Sequence, residues 1–99
     1  MFVAVSRSTV ANEMTAETKD AFAHRPHLVD RAPGFVRMDI ISPLDNPDEI
    51  VLLTYWNNKN SFKAWHRGHT FRESHRWIQK GLKLVPKSTN LSYFEFIGS

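Results

Sequence analysis

Glu49-Ile50-Val51-Leu52-Leu53-Thr54-Tyr55-Trp56-Asn57-Asn58-Lys59-Asn60-Ser61-Phe62-Lys63-Ala64-Trp65 is the stretch on which the fold turns. Residues Glu49 to Trp56 read as a strand, and their Ile-Val-Leu-Leu centre predicts burial on both faces. Asn57 to Ser61 is a run of short polar side chains that supplies N-cap chemistry for a helix over Phe62–Arg67. Gly68 breaks that helix. Within it Phe62 and Trp65 stand three residues apart and share a face.

Residues 2–10 read as a first strand, with Phe2, Ala4, Ser6 and Ser8 on one face and Val3, Val5 and Arg7 on the other. Thr15 starts a helix, with Glu17 and Asp20 suited to its positive first turn. That helix is expected to carry Phe22, Leu28 and Val29 and to stop before Ala32-Pro33-Gly34. Pro26 inside it predicts a kink or an irregular turn. Phe35 to Ile41 form a second strand, followed by a turn-rich loop over Ser42–Asp48. After Gly68 a further helix is expected over Thr70–Leu82, where Phe71, His75, Ile78 and Leu82 make a single stripe. A loop containing Pro86 then leads to a last strand over Leu91–Ile97.

The order is β-α-β-β-α-α-β. It predicts an α+β fold, a ferredoxin-like sandwich with an antiparallel sheet and helices on one face, as one domain over residues 1–99. The uncovered face of such a sheet is a natural dimer surface. Tyr55, Trp56, Tyr93, Phe94 and Phe96 supply aromatic bulk, some of it to each face.

Composition narrows the function. Of 99 residues, 41% are hydrophobic and 23% charged, ordinary for a globular protein. Cysteine is absent, which removes disulfides, thiol nucleophiles and thiolate metal sites, and fits a reducing cytosol. The first residues show no secretory signal, and no apolar run reaches the length of a membrane span. A cytoplasmic protein without membrane partners is expected. The formal net charge of +3 suits a small anionic ligand and is too weak for nucleic acid. Gly34-Phe35-Val36 is similar to a fragment of the RNA-recognition motif, but it lies on the second strand rather than the third.

Several side chains could carry chemistry. His75, in the middle of an apolar stripe, reads either as a core imidazole bonded to a carbonyl or as a ligand to a metal or haem iron. Trp65 and Phe62 read as core packing or as a wall pressing on a planar ligand. His24, His27, His66 and His69 form two H-x-x-H spacings, but no third partner converges on either, so solvated histidines are expected rather than zinc. Arg25, Arg72 and Arg76 are solvated cations or partners for a carboxylate ligand. No Ser/His/Asp elbow, phosphate-binding glycine loop or paired-carboxylate pattern is present.

Leu53-Thr54-Tyr55-Trp56, Ser61-Phe62-x-x-Trp65 and Phe71-x-x-x-His75, with Ala32-Pro33-Gly34-Phe35 ahead of the second strand, resemble the antibiotic-biosynthesis-monooxygenase (ABM) superfamily. The likeness extends over nearly the whole chain. Trp65 and His75 at this spacing are similar to the IsdG-type haem-degrading branch. The resemblance implies a homodimeric α/β barrel with one haem pocket per subunit. In it His75 is the axial iron ligand, Trp65 ruffles the porphyrin, and Phe22 and Arg25 line the pocket. Haem is then both substrate and cofactor, consumed with O₂ and electrons from an external donor (a reductase or small reductant), and iron is released. The family's third active residue is an asparagine on the first strand followed by arginine. Here Ser6 precedes Arg7, and a serine hydroxyl reaches less far than an amide and donates one hydrogen rather than two. The wider superfamily implies a second function, cofactor-free monooxygenation of a quinol or aromatic polyketide-like substrate.

Overall fold

Two strands, β1 (Phe2–Thr9) and β3 (Glu49–Trp56), run antiparallel at the centre of a four-stranded sheet. β2 (Phe35–Ile41) flanks β3 and β4 (Asn90–Glu95) flanks β1, giving the order β2-β3-β1-β4. Every pairing is antiparallel. The computed structural model describes residues 1–10, 13–24, 27, 29–68 and 90–99. Within them two helices, α1 (Thr15–Ala23) and α2 (Lys59–Arg67), join the sheet in an α+β ferredoxin-like fold, as the sequence predicts. The helix expected over Thr70–Leu82 lies outside the described residues, and with it His75, Arg72 and Arg76. His69, Arg25, Pro26 and Leu28 lie outside them too.

The alternation read along β1 holds. Ala4 packs with Trp56, Phe62 and Val29 on the helix side of the sheet, while Val3 and Val5 pack with Val51 and Tyr55 on the other side. β3 is buried on both faces at Ile50, Val51, Thr54, Tyr55 and Trp56, and partly at Leu52 and Leu53. Of the aromatic side chains, Trp56 and Tyr93 stand on the helix side, and Tyr55 meets Phe96 edge-on across the far side. Phe94 and Ile41 extend that far face and stay more than half exposed.

The first helix is shorter than its apolar pattern predicts. α1 ends at Ala23, and Val29–Arg31 form a separate 3-10 turn instead of its last residues. The sequence supplies the reason for the break: a proline follows at position 26, and proline has no N–H to donate to a helix. His27 then takes a left-handed φ of 58°, which turns the chain. α2 begins earlier than expected. Asn58 is its cap, with Oδ1 accepting from the Ser61 N–H at 2.9 Å and from the Ser61 hydroxyl at 3.1 Å. Gly68 N–H closes the other end on the Trp65 carbonyl at 3.0 Å. β4 runs Asn90–Glu95, so Phe96 and Ile97 fall beyond the ladder.

Two local features set where α2 lies. Gly34 has φ +82°, and its carbonyl accepts from Asn57 N–H at 2.8 Å. A Cβ at Gly34 would stand 2.5 Å from Ser61 Cβ and closer still to its Oγ. Only glycine lets the turn before β2 approach the first turn of α2 this closely. Next, the register shifts between Phe35, opposite Trp56, and Arg37, opposite Tyr55. This bulge at Val36 sends Phe35 to the helix face and Arg37 to the far face. There the Arg37 guanidinium lies 4.5 Å from the Tyr55 ring centre and pairs with Asp39 at 3.3 Å. The hydrogen bond to Tyr55, followed by the Asp39 charge, raises the Arg37 pKa further above its usual value.

Candidate functional site

The candidate site is the helix-covered face of the sheet. Under α2, Phe62 and Trp65 project onto β3. Trp65 lies 5.5 Å from the Trp56 ring, tilted by 36°, and 6.3 Å from Phe62. Trp56 is completely buried (0% exposed) and also takes Phe35 at 5.5 Å and Phe62 at 5.8 Å edge-on. Each such pair adds about 0.5–1.5 kcal/mol beyond the area it buries, so the half-buried Trp65 is backed by a rigid aromatic bed. Burial of Phe62 itself contributes about 1.5–3 kcal/mol to holding α2 down.

Under α1 a second cluster forms. Phe22 is buried against Val10 and Ile50, with Met14, Ile40 and Leu52 around them. The Thr15 hydroxyl donates to Asp48 Oδ1 at 2.5 Å and ties the start of α1 to the β2–β3 loop. Ser6 stands between the clusters. Its cross-strand neighbours on β1 are Leu52, which packs with the Phe22 cluster, and Leu91, which packs with the Trp65 cluster. The fold therefore brings Ser6, Phe22 and Trp65 to one face. Arg25 and His75 lie outside the described residues.

Among the described residues the buried polar side chains are Ser8, Thr18 and Thr54, all hydroxyls. Trp56 Nε1–H donates to Thr54 Oγ1 at 2.9 Å, and Thr54 donates on to the Ala4 carbonyl at 3.4 Å. Thr18 is 4% exposed, and its Oγ1 has no hydrogen-bond partner among the described residues. The histidines in the described residues sit outside the clusters on exposed positions. His24 Nδ1 meets the Asp20 carbonyl at 2.9 Å, His27 Nδ1 meets Asp30 Oδ2 at 3.2 Å, and His66 stacks on Phe62 at 5.3 Å. Among the described residues no group of three His, Asp or Glu side chains could hold a metal ion. No described helix is long and apolar enough to cross a membrane.

Sequence reasoning missed Trp56 as the centre of this face. Its signal was the i, i+2 pair Thr54 and Trp56, which a strand places side by side on one face. Thr18 was also missed, although it lies one helical turn before Phe22 on the same stripe.

The described residues define an α+β ferredoxin-like sheet with an aromatic surface on its helix side, and comparison with known proteins places that fold. The chain belongs to the antibiotic biosynthesis monooxygenase family, whose model matches residues 1–77. It is 29% identical over 80 residues to the mycobilin-producing haem oxygenase of Mycobacterium tuberculosis, covering 81% of this chain and 71% of that one. Among solved structures, the haem-degrader MhuD from Mycobacterium tuberculosis, with two haems bound in its active site, superposes with a TM-score of 0.81 at 23% identity. That match covers 100% of this chain and 98% of the other. SnoaB, a cofactor-independent oxygenase from Streptomyces nogalater, superposes with a TM-score of 0.74 at 21% identity, covering 99% and 94%. Both structural likenesses establish the fold. They belong to proteins of different chemistry.

Proposed function

We propose that the chain is a haem-binding monooxygenase that opens the haem ring with O₂ and externally supplied electrons and releases the iron. The observation that carries this reading is Trp65, fixed on α2 against Trp56, on the same face as Ser6 and Phe22. A flat apolar macrocycle suits such a surface: its described centre is aromatic, the buried polar groups there are hydroxyls, and the Glu95 carboxylate stands at its β4 edge. When bound, the haem supplies both the iron that activates O₂ and the ring that is opened.

The chain's residues do the rest. The His75 imidazole would hold the haem iron through one ring nitrogen. Trp65 would bear on the bound ring, with Trp56 packed behind it as a fixed support. Phe22 closes the apolar wall, and the Arg25 guanidinium meets the haem carboxylates. The Ser6 hydroxyl would offer one hydrogen-bond donor to the reacting oxygen, directly or through a water. The working form is a cytoplasmic homodimer, joined through the far sheet face that carries Phe94 and Ile41. The electrons come from a reductase or a small reductant.

The test is turnover. The hemin-loaded chain, given a reductant under air, is expected to lose its Soret band while a ferrous chelator captures iron. A Soret band that persists under these conditions refutes the degradation step. A second reading, cofactor-free oxygenation of a quinol or polyketide-like aromatic, is favoured by Ser6 in place of the asparagine of the haem-degrading branch. Oxygen uptake with an electron-rich hydroquinone, in a chain with no haem affinity, selects it.

A further inference from the structure

We propose that the aromatic side chains of the helix-covered face form a one-electron relay from Trp65 through Trp56 to Tyr93, which carries oxidising equivalents from the site to the surface. The source of the oxidant rests on the haem reading above; the relay itself rests on ring geometry.

Trp65 lies 5.5 Å from Trp56, Trp56 lies 5.8 Å from Phe62, and Phe62 lies 5.7 Å from Tyr93. Phe2 bridges the last step, at 5.5 Å from Phe62 and 5.4 Å from Tyr93. These rings come from α2, β3, β1 and β4, elements held by backbone ladders or by buried packing, so the spacings are fixed rather than sampled. Exposure falls from the half-buried Trp65 to the fully buried Trp56 and rises again at Tyr93, which is 50% exposed.

The chemistry orders the stations. Tryptophan and tyrosine are the most readily oxidised ring side chains, and the chain has no cysteine thiol to compete with them as a donor. Phenylalanine is far harder to oxidise, so Phe62 and Phe2 act as the medium between Trp56 and Tyr93. Trp56 makes a poor terminus. Its indole proton is held by Thr54 Oγ1, and that hydroxyl is committed to the Ala4 carbonyl inside the core. Because its proton is held by this buried hydroxyl, oxidised Trp56 stays a cation and takes an electron from a neighbour. Tyr93 makes a good terminus, because a half-exposed phenol can give up its electron and its proton to water together. The other tyrosine, Tyr55, is only 9% exposed and has the Arg37 cation 4.5 Å from its ring centre, which opposes removal of an electron.

The steps balance. One electron leaves Trp65 for a one-electron oxidant formed when a redox group in the site reacts with peroxide or O₂ without productive chemistry. One electron then passes from Trp56 to Trp65, and one from Tyr93 to Trp56, restoring both indoles. The phenolic proton of Tyr93 goes to water. A thiol or ascorbate in solution returns one electron and one proton to the tyrosyl radical. In sum the oxidant is reduced by one electron, the solution reductant is oxidised by one, and the protein is unchanged. The relay spares Trp65, the wall of the site, from irreversible oxidation.

The experiment is pulse radiolysis of the apoprotein with azidyl radicals, in a Trp77→Phe background so that Trp56 and Trp65 are the remaining indoles. Indolyl absorbance is expected to decay as tyrosyl absorbance grows, at a first-order rate independent of protein concentration. Tyr93→Phe is expected to lose that growth and Tyr55→Phe to keep it, with far-ultraviolet circular dichroism confirming that each variant folds. Absence of transfer, a rate that scales with protein concentration, or growth retained in Tyr93→Phe overturns the relay. A second arm treats the hemin-loaded chain with hydrogen peroxide and maps oxidised residues by mass spectrometry. More oxidation at Trp65 in Tyr93→Phe supports the relay, and equal oxidation overturns it. Radical transfer in a chain that does not bind hemin defeats the haem reading alone, whereas hemin binding without transfer defeats the relay alone.

Discussion

Replacing Gly34 with alanine tests how the fold holds Trp65 in place. Two costs act at that position. The φ of +82° lies where an L side chain is strained by about 1–2 kcal/mol. A Cβ there also enters Ser61, standing 2.5 Å from its Cβ, and such overpacking costs typically about 1–3 kcal/mol. Gly34→Ala is therefore expected to destabilise the protein by about 3 kcal/mol, or a fall in Tm of roughly 15 °C for a domain of this size. The assay is urea and thermal unfolding at one fixed protein concentration, because self-association alters apparent stability. A double-mutant cycle separates the two costs. Ser61→Gly removes the atoms that collide and leaves the backbone strain untouched. The double variant is expected to recover about 1–2 kcal/mol relative to the sum of the single changes. Ser61 lies in the first turn of α2, so the collision also displaces Phe62 and Trp65 above it. Additive single changes, or a loss below about 1 kcal/mol for Gly34→Ala, refute the claim that this contact positions α2.

Other outcomes follow from the same structure. Trp56→Phe removes the indole bond to Thr54 and leaves a small void under Trp65, so a loss of about 2–3 kcal/mol is expected in chemical unfolding. Asn58→Ala deletes the cap of α2 and is expected to cost about 1 kcal/mol by the same measurement. Ser6→Asn adds a longer donor beside the proposed oxygen site. It is expected to raise single-turnover haem degradation with little change in hemin affinity, and equal or lower turnover counts against a donor role at position 6.

The strands were legible because their ends are chemically marked. Gly34 opens β2, the Pro43 to Pro47 loop separates β2 from β3, and Asn57-Asn58 ends β3 where α2 begins. The faces of β1 were legible from a period of two. The length of α1 was not, because apolar spacing runs from Phe22 to Val29 through Pro26, and local backbone chemistry overrides that pattern. The bulge at Val36 was also hidden, since nothing in Phe35-Val36-Arg37 marks the slip that places Arg37 over Tyr55. Of the site, the shared face of Ser6, Phe22 and Trp65 follows from strand parity and helical spacing. The hub role of Trp56 does not, because a strand buried on both faces gives no sequence sign of which side holds the site.

The central claim is that His75 and Trp65 frame a slot for haem, and titration of the apoprotein with hemin, followed by absorbance, tests it most directly. The account predicts a saturable Soret shift at about one haem per chain, with the axial-ligand spectrum lost in His75→Ala. Absence of a saturable shift, or an unchanged spectrum in His75→Ala, contradicts it.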